Sequence, residues 1–292
     1  MVLITGTTKL LGIIGDPVEH SLSPVMHNAA IKQMGIDYVY IPFPVKPNNL
    51  ATAIAGFAAV DLVGFSVTIP HKQAIIPLLS KVTPEAEMIG AVNTVWRTDS
   101  GWQGTNTDVI GFVAPLKNLG RDWRKVTPVI LGNGGAARAV VVGLIQLGCQ
   151  EIHVVGRNKD KLAQFYQSWQ NNREIITKLK IHYWEGLNAL LPAAELLINT
   201  TPIGMYPHVK QSPLDAELFK KLSSGAIAYD LIYTPNPTQF LQLAKGKGAV
   251  IIDGLEMLVQ QGVAALEIWL QQPVPVDVMR QSLQQREFDE NF

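Results

Sequence analysis

From residue 10 onward, short apolar runs alternate with longer stretches of helical spacing: "LLGIIG", "SPVMHNAAIKQMG", "DYVYIPF", "NNLATAIAGFAAV" and "DLVGFSVTI" follow one another. This alternation predicts βαβ units and a mostly parallel sheet covered on both faces. Ser23 is placed to cap the first helix, with Pro24 in its first turn and Gly35 at its end. The series runs to "AVNTVWRTDSGWQG", where Asp99, Ser100 and Gly101 between apolar segments predict a hairpin turn.

A second series starts at "TPVILGNGGAARAVVVGLIQLG" and continues through "EIHVVGRN", a long helical and polar stretch to Lys180, "IHYW", "ELLINTTP", "GAIAYDLIY" and "GAVIIDG". It makes a second α/β unit of ordinary domain size, and 292 residues suffice for a well-buried core in each. After Gly254 the pattern is helical to the end, in "LEMLVQQGVAALEIWLQQ" and "VDVMRQSLQQREF". Periodicity alone allows this pair to extend the second unit or to cross back and complete the first.

Composition narrows the possible functions. Apolar residues make up 47% and charged ones 16%, with 24 Lys+Arg against 24 Asp+Glu, so no global field draws in nucleic acid or an anionic membrane surface. Any anion must be held by a local site. The single cysteine, Cys149, forms no internal disulfide and reads as a small buried hydrophobe, which fits a reducing cytoplasm. "MVLITGTTKLLGIIG" has no basic segment ahead of its apolar residues and is broken by Gly6, Thr7, Thr8 and Lys9, so neither a signal peptide nor an anchor is expected. No apolar run reaches the roughly 18–20 residues that a membrane span needs.

"VILGNGGAARAVVVGL" puts Gly132, Gly134 and Gly135 directly after an apolar strand and before a helix opened by Ala136, Ala137 and Arg138. Glycines permit a tight turn and close backbone approach, and the helix N-terminus offers free amides to a pyrophosphate. This is a dinucleotide loop of Rossmann type, with Ala137 in place of the third glycine and Asn133 inside the loop. The next strand, in "IHVVGRNKDK", ends at Gly156 and Arg157, followed by Lys159 and Lys161, with no carboxylate before Asp160. An NAD unit usually carries Asp or Glu there for the ribose hydroxyls. An arginine suits a 2′-phosphate instead, a charge-assisted pair of about 1.5–3 kcal/mol, or about 10 to 100-fold in preference. The expected cofactor is NADP.

A dinucleotide domain needs a substrate with which hydride is exchanged. The polar residues that interrupt apolar segments of the first domain are the candidates. "EHSLSPVMHN" sets Ser21 and Ser23 at a helix start, "SVTIPHK" carries Thr68 and Lys72, "GAVNTV" places Asn93 in an apolar strand, and "GTNTDVIGF" places Asn106 and Asp108 before a helix. A plain cap accounts for Ser23 but not for Ser21, and Asn106 or Thr107 is placed to cap the helix that follows. Oxidation of a secondary alcohol removes a hydroxyl proton as hydride leaves the same carbon, so the site needs a group that can take or return that proton. The six histidines show no metal-ligand spacing and read as surface or packing residues, with only His71 expected near the site.

Together "HSLSP", "SVTIPHK", "GAVNT", "GTNTD", "GNGGAAR", "GRN", "NTTPIGM", "DLIYTPNPTQFL" and "DGLEMLVQQ" resemble shikimate dehydrogenase in order and spacing, from about Leu11 to Trp269. The resemblance implies a substrate domain of residues 1–107 completed by C-terminal helices 254–292, and an NADP-binding domain of residues 108–253. It implies reversible reduction of 3-dehydroshikimate to shikimate by NADPH, in aromatic amino-acid biosynthesis. By the same matching, Ser21 and Ser23 hold the substrate carboxylate, and Asn93, Asp108, Thr68 and Gln261 hold ring hydroxyls with Tyr233 nearby. The resemblance also implies that Lys72 and Asp108 form the catalytic pair, and the chemistry agrees: Lys72 can take or return the hydroxyl proton and stabilise the alkoxide while Asp108 orients it. The cofactor lies on Gly132, Asn133, Gly134, Gly135 and Ala136, with Arg157, Asn158 and Lys161 at its phosphate and Leu231 and Gly254 at its nicotinamide; no metal is implied. Asn133 stands where the family's loop usually has alanine, and "GRNKDK" where "NRT" and a basic residue are common. Two alternatives keep the same frame: a sister enzyme that accepts quinate and often uses NAD, and a non-catalytic ligand-sensing module. The first is disfavoured by the missing carboxylate near Arg157, the second by the retention of Lys72 and Asp108 in a neutral chain without a basic helix. Monomer and homodimer are both compatible with the sequence.

Overall fold

The computed structural model describes residues 4–289. The first unit is built on strands β1 (Lys9–Gly15), β2 (Tyr38–Pro44), β3 (Gly64–Val67), β4 (Lys81–Val82), β5 (Thr94–Thr98) and β6 (Gly101–Thr105). Its helices are α1 (Ser23–Met34), α2 (Leu50–Ala59), α3 (His71–Ala74) and α4 (Pro84–Ile89), followed by α5 (Asp108–Lys117). The sheet order is β2-β1-β3-β5-β6-β4. β1 is parallel to β2 and β3, β4 is parallel to β6, and β5 is antiparallel to both its neighbours. The sheet is therefore mostly parallel, and Thr98 opposite Gly101 closes the expected hairpin.

β5 alone runs against the other strands. Its beginning therefore lies at the edge where β1, β3 and β6 end, so residues before β5 meet residues after those strands. Below that edge Ile14, Phe65, Val67, Val95 and Trp102 form one core with Leu50, Ile54 and Phe57 of α2.

The second unit has β7 (Pro128–Leu131), β8 (Ile152–Gly156), β9 (Leu179–Tyr183), β10 (Leu196–Asn199), β11 (Ile227–Asp230) and β12 (Val250–Ile252). Its helices are α6 (Gly135–Leu147), α7 (Lys159–Gln167), α8 (Arg173–Lys178), α9 (Leu187–Leu190), α10 (Ala216–Phe219) and α11 (Gln239–Lys245). The long helical stretch expected to Lys180 is two helices, because the Asn172 side chain accepts from the Ile175 N–H and starts α8, and β9 already begins at Leu179. The order β12-β11-β10-β7-β8-β9 is parallel throughout. The chain builds outward from β7 to β9, then returns to place β10 on the other side of β7. That reversal is the topological switch point at which open α/β sheets bind ligands beyond their strand ends.

Two helices close the chain, α12 (Leu255–Leu270) and α13 (Val276–Asp289). α13 packs on α1, and the Trp269 indole N–H donates to the Val95 carbonyl at 2.9 Å. A side chain at Gly64 would collide with that indole ring, so the glycine makes room for it. The chain divides into residues up to Gly111 together with those from Leu258 on, and Phe112–Met257. Both divisions fall inside helices, α5 and α12, whereas the resemblance implied boundaries at 107/108 and 253/254.

Candidate active site

Lys72 lies on α3, just past β3, and Asp108 opens α5, just past β6. The Lys72 ammonium donates to Asp108 Oδ2 at 2.5 Å, with the two side chains 17% and 7% exposed. Asn93 is not in a strand: it stands one residue ahead of β5 and joins the ladder by backbone bonds only, its carbonyl accepting from Val67 N–H and its N–H donating to the Thr105 carbonyl. Being outside β5, it turns its amide toward the strand ends. Its Nδ2 donates to Asp108 Oδ1 at 2.8 Å and to Thr107 Oγ1 at 3.0 Å, with Gln261 Oε1 at 3.5 Å. Its Oδ1 accepts from the Thr107 N–H at 2.8 Å and the Thr94 hydroxyl at 3.0 Å.

This network holds Asp108 on both oxygens, one by a cation and one by an amide, at the N-terminus of a helix that favours its charge. Asn106 completes it by accepting from the Asp108 N–H and donating to the Ala91 carbonyl, so Asn106 rather than Thr107 takes the capping role. Asp108 is the only protein acceptor of the Lys72 ammonium among the described residues, which leaves donors for an incoming oxygen.

Ser23 and Thr68 leave the same sheet edge, after β1 and β3. Neither hydroxyl takes a hydrogen-bond partner among the described residues. The Thr68 methyl packs where a Gly15 side chain would stand, at 2.5 Å from that Cβ position, so the two strand ends are in contact. The expected cap is reversed: α1 is preceded by Leu22 with no side-chain cap, and it is the Ser21 hydroxyl that accepts the Ser23 N–H, at 3.3 Å. The turn closed by Ser21 N–H on the Val18 carbonyl starts the helix earlier than the Ser-Pro pattern suggests. Ser23 is thereby left with a free hydroxyl. Tyr233 lies in the second unit, past the end of β11.

His71, next to Lys72, is fully buried with Nε2 2.6 Å from the Val45 carbonyl. His27 is stacked on Tyr40 at 4.2 Å with neither ring nitrogen partnered, and burial pushes its pKa down to about 3. It is a neutral packing group. No group of three or more His, Cys, Asp or Glu among the described residues is arranged to hold a metal ion.

In the second unit Gly132 follows β7 with φ +104°, a conformation that favours glycine, and a Cβ there would come within 2.7 Å of Thr200 Oγ1. Gly134 precedes α6 without a side-chain cap, and a Cβ built on it meets nothing within 4 Å. Asn133 Oδ1 lies 3.3 Å from the Cβ position of Gly156, so the loop rests against the end of β8. Gly135 and Ala136 open the helix. Free first-turn amides beside open space, at the switch point, fit a pyrophosphate.

Arg157 and Lys161 are exposed at the end of β8 and the start of α7, and Asn158 caps α7 by accepting the Lys161 N–H at 2.9 Å. Asn158 therefore has its amide NH₂ left for a ligand and its oxygen committed. Leu231 is half-buried beyond β11, and the Gly254 position is filled by the Leu231 backbone, which any side chain would strike.

Asn199, Asp230 and Thr238, fully buried, form a lattice that the sequence pattern did not reveal. Asp230 accepts from Asn199 Nδ2 at 3.0 Å, the Ile232 N–H at 3.1 Å and the Thr238 hydroxyl at 2.7 Å. Asn199 Oδ1 in turn accepts from Thr201. Burial pushes the Asp230 carboxyl up to about 7, against the lowering effect of these donors.

Residues 13–95 match the model described as shikimate dehydrogenase substrate binding domain, and residues 254–284 that described as shikimate 5′-dehydrogenase C-terminal domain. The chain is 64% identical over 288 residues to the shikimate dehydrogenase (NADP+) of Crocosphaera subtropica, spanning 99% of this chain and 100% of that one. It belongs to the shikimate dehydrogenase family. A crystal structure of a shikimate dehydrogenase in complex with NADP+ superposes with a TM-score of 0.88 at 39% identity, covering 97% of both chains. The 5-ketofructose reductase of a Gluconobacter strain also superposes, with a TM-score of 0.83 at 34% identity over 96% of this chain and 99% of that one. The shikimate dehydrogenase fold thus also occurs in a reductase named for a different ketone, and substrate choice must be argued from side chains.

Proposed function

We propose that this chain catalyses the reversible, NADPH-dependent reduction of 3-dehydroshikimate to shikimate in aromatic amino-acid biosynthesis, with Lys72 and Asp108 as its catalytic pair. The observation that carries this is the Lys72–Asp108 ion pair at 2.5 Å, set at a sheet edge where Ser23 and Thr68 hold uncommitted hydroxyls. Bound NADP supplies or accepts the hydride. Lys72 takes the proton of the substrate hydroxyl during oxidation, or returns it to the developing alkoxide during reduction, and its charge stabilises that alkoxide. Asp108 accepts from the Lys72 side chain and orients it toward the reacting hydroxyl. Ser21 and Ser23 receive the carboxylate, and Thr68, Asn93, Asp108 and Gln261 receive ring hydroxyls, with Tyr233 as a further contact.

The N-terminal unit with the terminal helices is the substrate domain and the middle unit the NADP domain. Gly132, Asn133, Gly134, Gly135 and Ala136 would hold the pyrophosphate, Arg157, Asn158 and Lys161 the 2′-phosphate, and Leu231 and Gly254 the nicotinamide side. No helix among the described residues is long and apolar enough to cross a membrane. A cytoplasmic enzyme agrees with a lone Cys149 whose thiol burial pushes up to about 11, beyond ready oxidation.

Steady-state reduction of NADP+ with shikimate, beside quinate and beside NAD+, tests the assignment. The expected order puts shikimate with NADP+ highest in kcat/KM; a higher value with quinate or NAD+ would make this the sister enzyme instead. Arg157→Ala is expected to lower kcat/KM with NADPH by about 10 to 100-fold and to spare NADH, the scale of a charge-assisted pair with phosphate.

A further inference from the structure

Gly156, the last residue of β8, and Tyr183, the last residue of β9, are register partners in adjacent parallel strands. The residues that follow them, Arg157 and Trp184, therefore leave the sheet side by side at its carboxyl edge. Arg157 Cζ lies 4.6 Å from the centre of the Trp184 ring, and Lys159 Nζ lies 4.9 Å from the centre of the Tyr183 ring. Trp184 is half-buried and packs on the core that includes Val155, Leu187 and Leu191, so its indole is held from beneath. Arg157 is exposed and makes neither an ion pair nor a hydrogen bond among the described residues.

An unpartnered arginine at a surface samples many rotamers, and ordering it on binding costs affinity. Stacking occupies only the face of the guanidinium. Its in-plane N–H donors stay available for the oxygens of a phosphate, already aimed. We infer that Trp184 is a positioning residue for cofactor choice: its ring holds the Arg157 guanidinium in place for the 2′-phosphate and so contributes to the preference for NADP over NAD. Trp184 touches no reacting atom; it acts through Arg157, and the inference rests on the 2′-phosphate role given to Arg157 above. Tyr183, 47% exposed and without that support from the core, is expected to do the same for Lys159 more weakly.

Dissociation constants of NADP+ and NAD+ measured by titration calorimetry on the full chain test this, for wild type, Arg157→Ala, Trp184→Leu, Trp184→Phe and the Arg157→Ala/Trp184→Leu double variant. Leucine keeps apolar contact with the core but removes the ring; phenylalanine keeps a ring. Trp184→Leu is expected to weaken NADP+ relative to NAD+ by about 3 to 5-fold, the worth of an exposed cation–π contact. Trp184→Phe should recover most of that, and the double variant should be no worse than Arg157→Ala alone. In turnover the loss should fall on KM for NADPH rather than on kcat. Equal weakening of both cofactors by Trp184→Leu, equal ratios for the leucine and phenylalanine variants, or additive losses in the double variant would overturn the inference. If Arg157→Ala changes the ratio and Trp184→Leu does not, the inference alone falls; if Arg157→Ala leaves the ratio unchanged, the role of Arg157 falls with it.

Discussion

Two aspartates, one in each unit, sit buried at the carboxyl edge of a sheet, and they have opposite surroundings. Asp108 faces the Lys72 ammonium at 2.5 Å and the Asn93 amide at 2.8 Å. Asp230 accepts only from neutral donors, Asn199, Thr238 and the Ile232 N–H, and is pushed up to about 7. Burial alone therefore does not mark a catalytic carboxylate. Asp108, the proposed catalytic carboxylate, differs in having a partner that can carry a proton and still has donors to spare. Asp230 instead ties the ends of β10 and β11 to the start of α11, beneath the segment that carries Leu231 and Tyr233.

The contrast can be broken most severely at Asp108. Asp108→Asn keeps the shape but removes the charge, and kcat is expected to fall by about 10² to 10⁴-fold in a steady-state assay, with the circular dichroism spectrum of the folded protein retained. An equal loss of kcat in Asp230→Asn would erase the distinction between the two sites.

For Asp230 the expected effect is on stability and depends on pH. Its carboxyl is raised from 3.8 to about 7 in the folded protein, so the folded state binds the proton more tightly than the unfolded chain. That contribution is complete below pH 3.8, is lost as pH rises to about 7, and changes little above. Asparagine cannot ionise. The stability of Asp230→Asn relative to wild type, from urea unfolding between pH 4 and 8, should therefore improve with pH by as much as about 4 kcal/mol and then level off. A difference that stays flat across this range would mean that the carboxyl is not raised.

The smallest expected effect is at Thr238, whose hydroxyl donates to Asp230 and accepts the Leu241 N–H at the start of α11. Thr238→Val should cost about 1–2 kcal/mol at pH 8 and less at pH 5, where the carboxyl it bonds is neutral.

The alternation of strands and helices was legible because parallel strands covered on both faces are apolar throughout and the helices between them keep their own period. The phosphate loop was legible for a similar reason: strand, glycines and helix are contiguous, and the chemistry needs all three. The Asp99–Gly101 hairpin was legible too, but the insertion of β5 between β3 and β6 was not, because its pairing with β3 is non-local; that insertion brings Asn93 to the ends of β3 and β6. Read locally, Lys72 is a charge just past a strand-ending proline; only the resemblance paired it with Asp108, 36 positions away. The serine pair was inverted, since a Ser-Pro pattern does not report the turn that closes at Ser21. The roles of Asp230 and Trp184 were not legible, because Asn199 and Arg157 come beside them only through the pairing of neighbouring strands.

The most direct test of the central claim is kcat and KM for shikimate with NADP+ in Lys72→Ala. Loss of the proton partner predicts a fall in kcat of about 10² to 10⁴-fold with the fold intact. A change in KM with kcat preserved would contradict it, making Lys72 a binding group and sending the proton by another route.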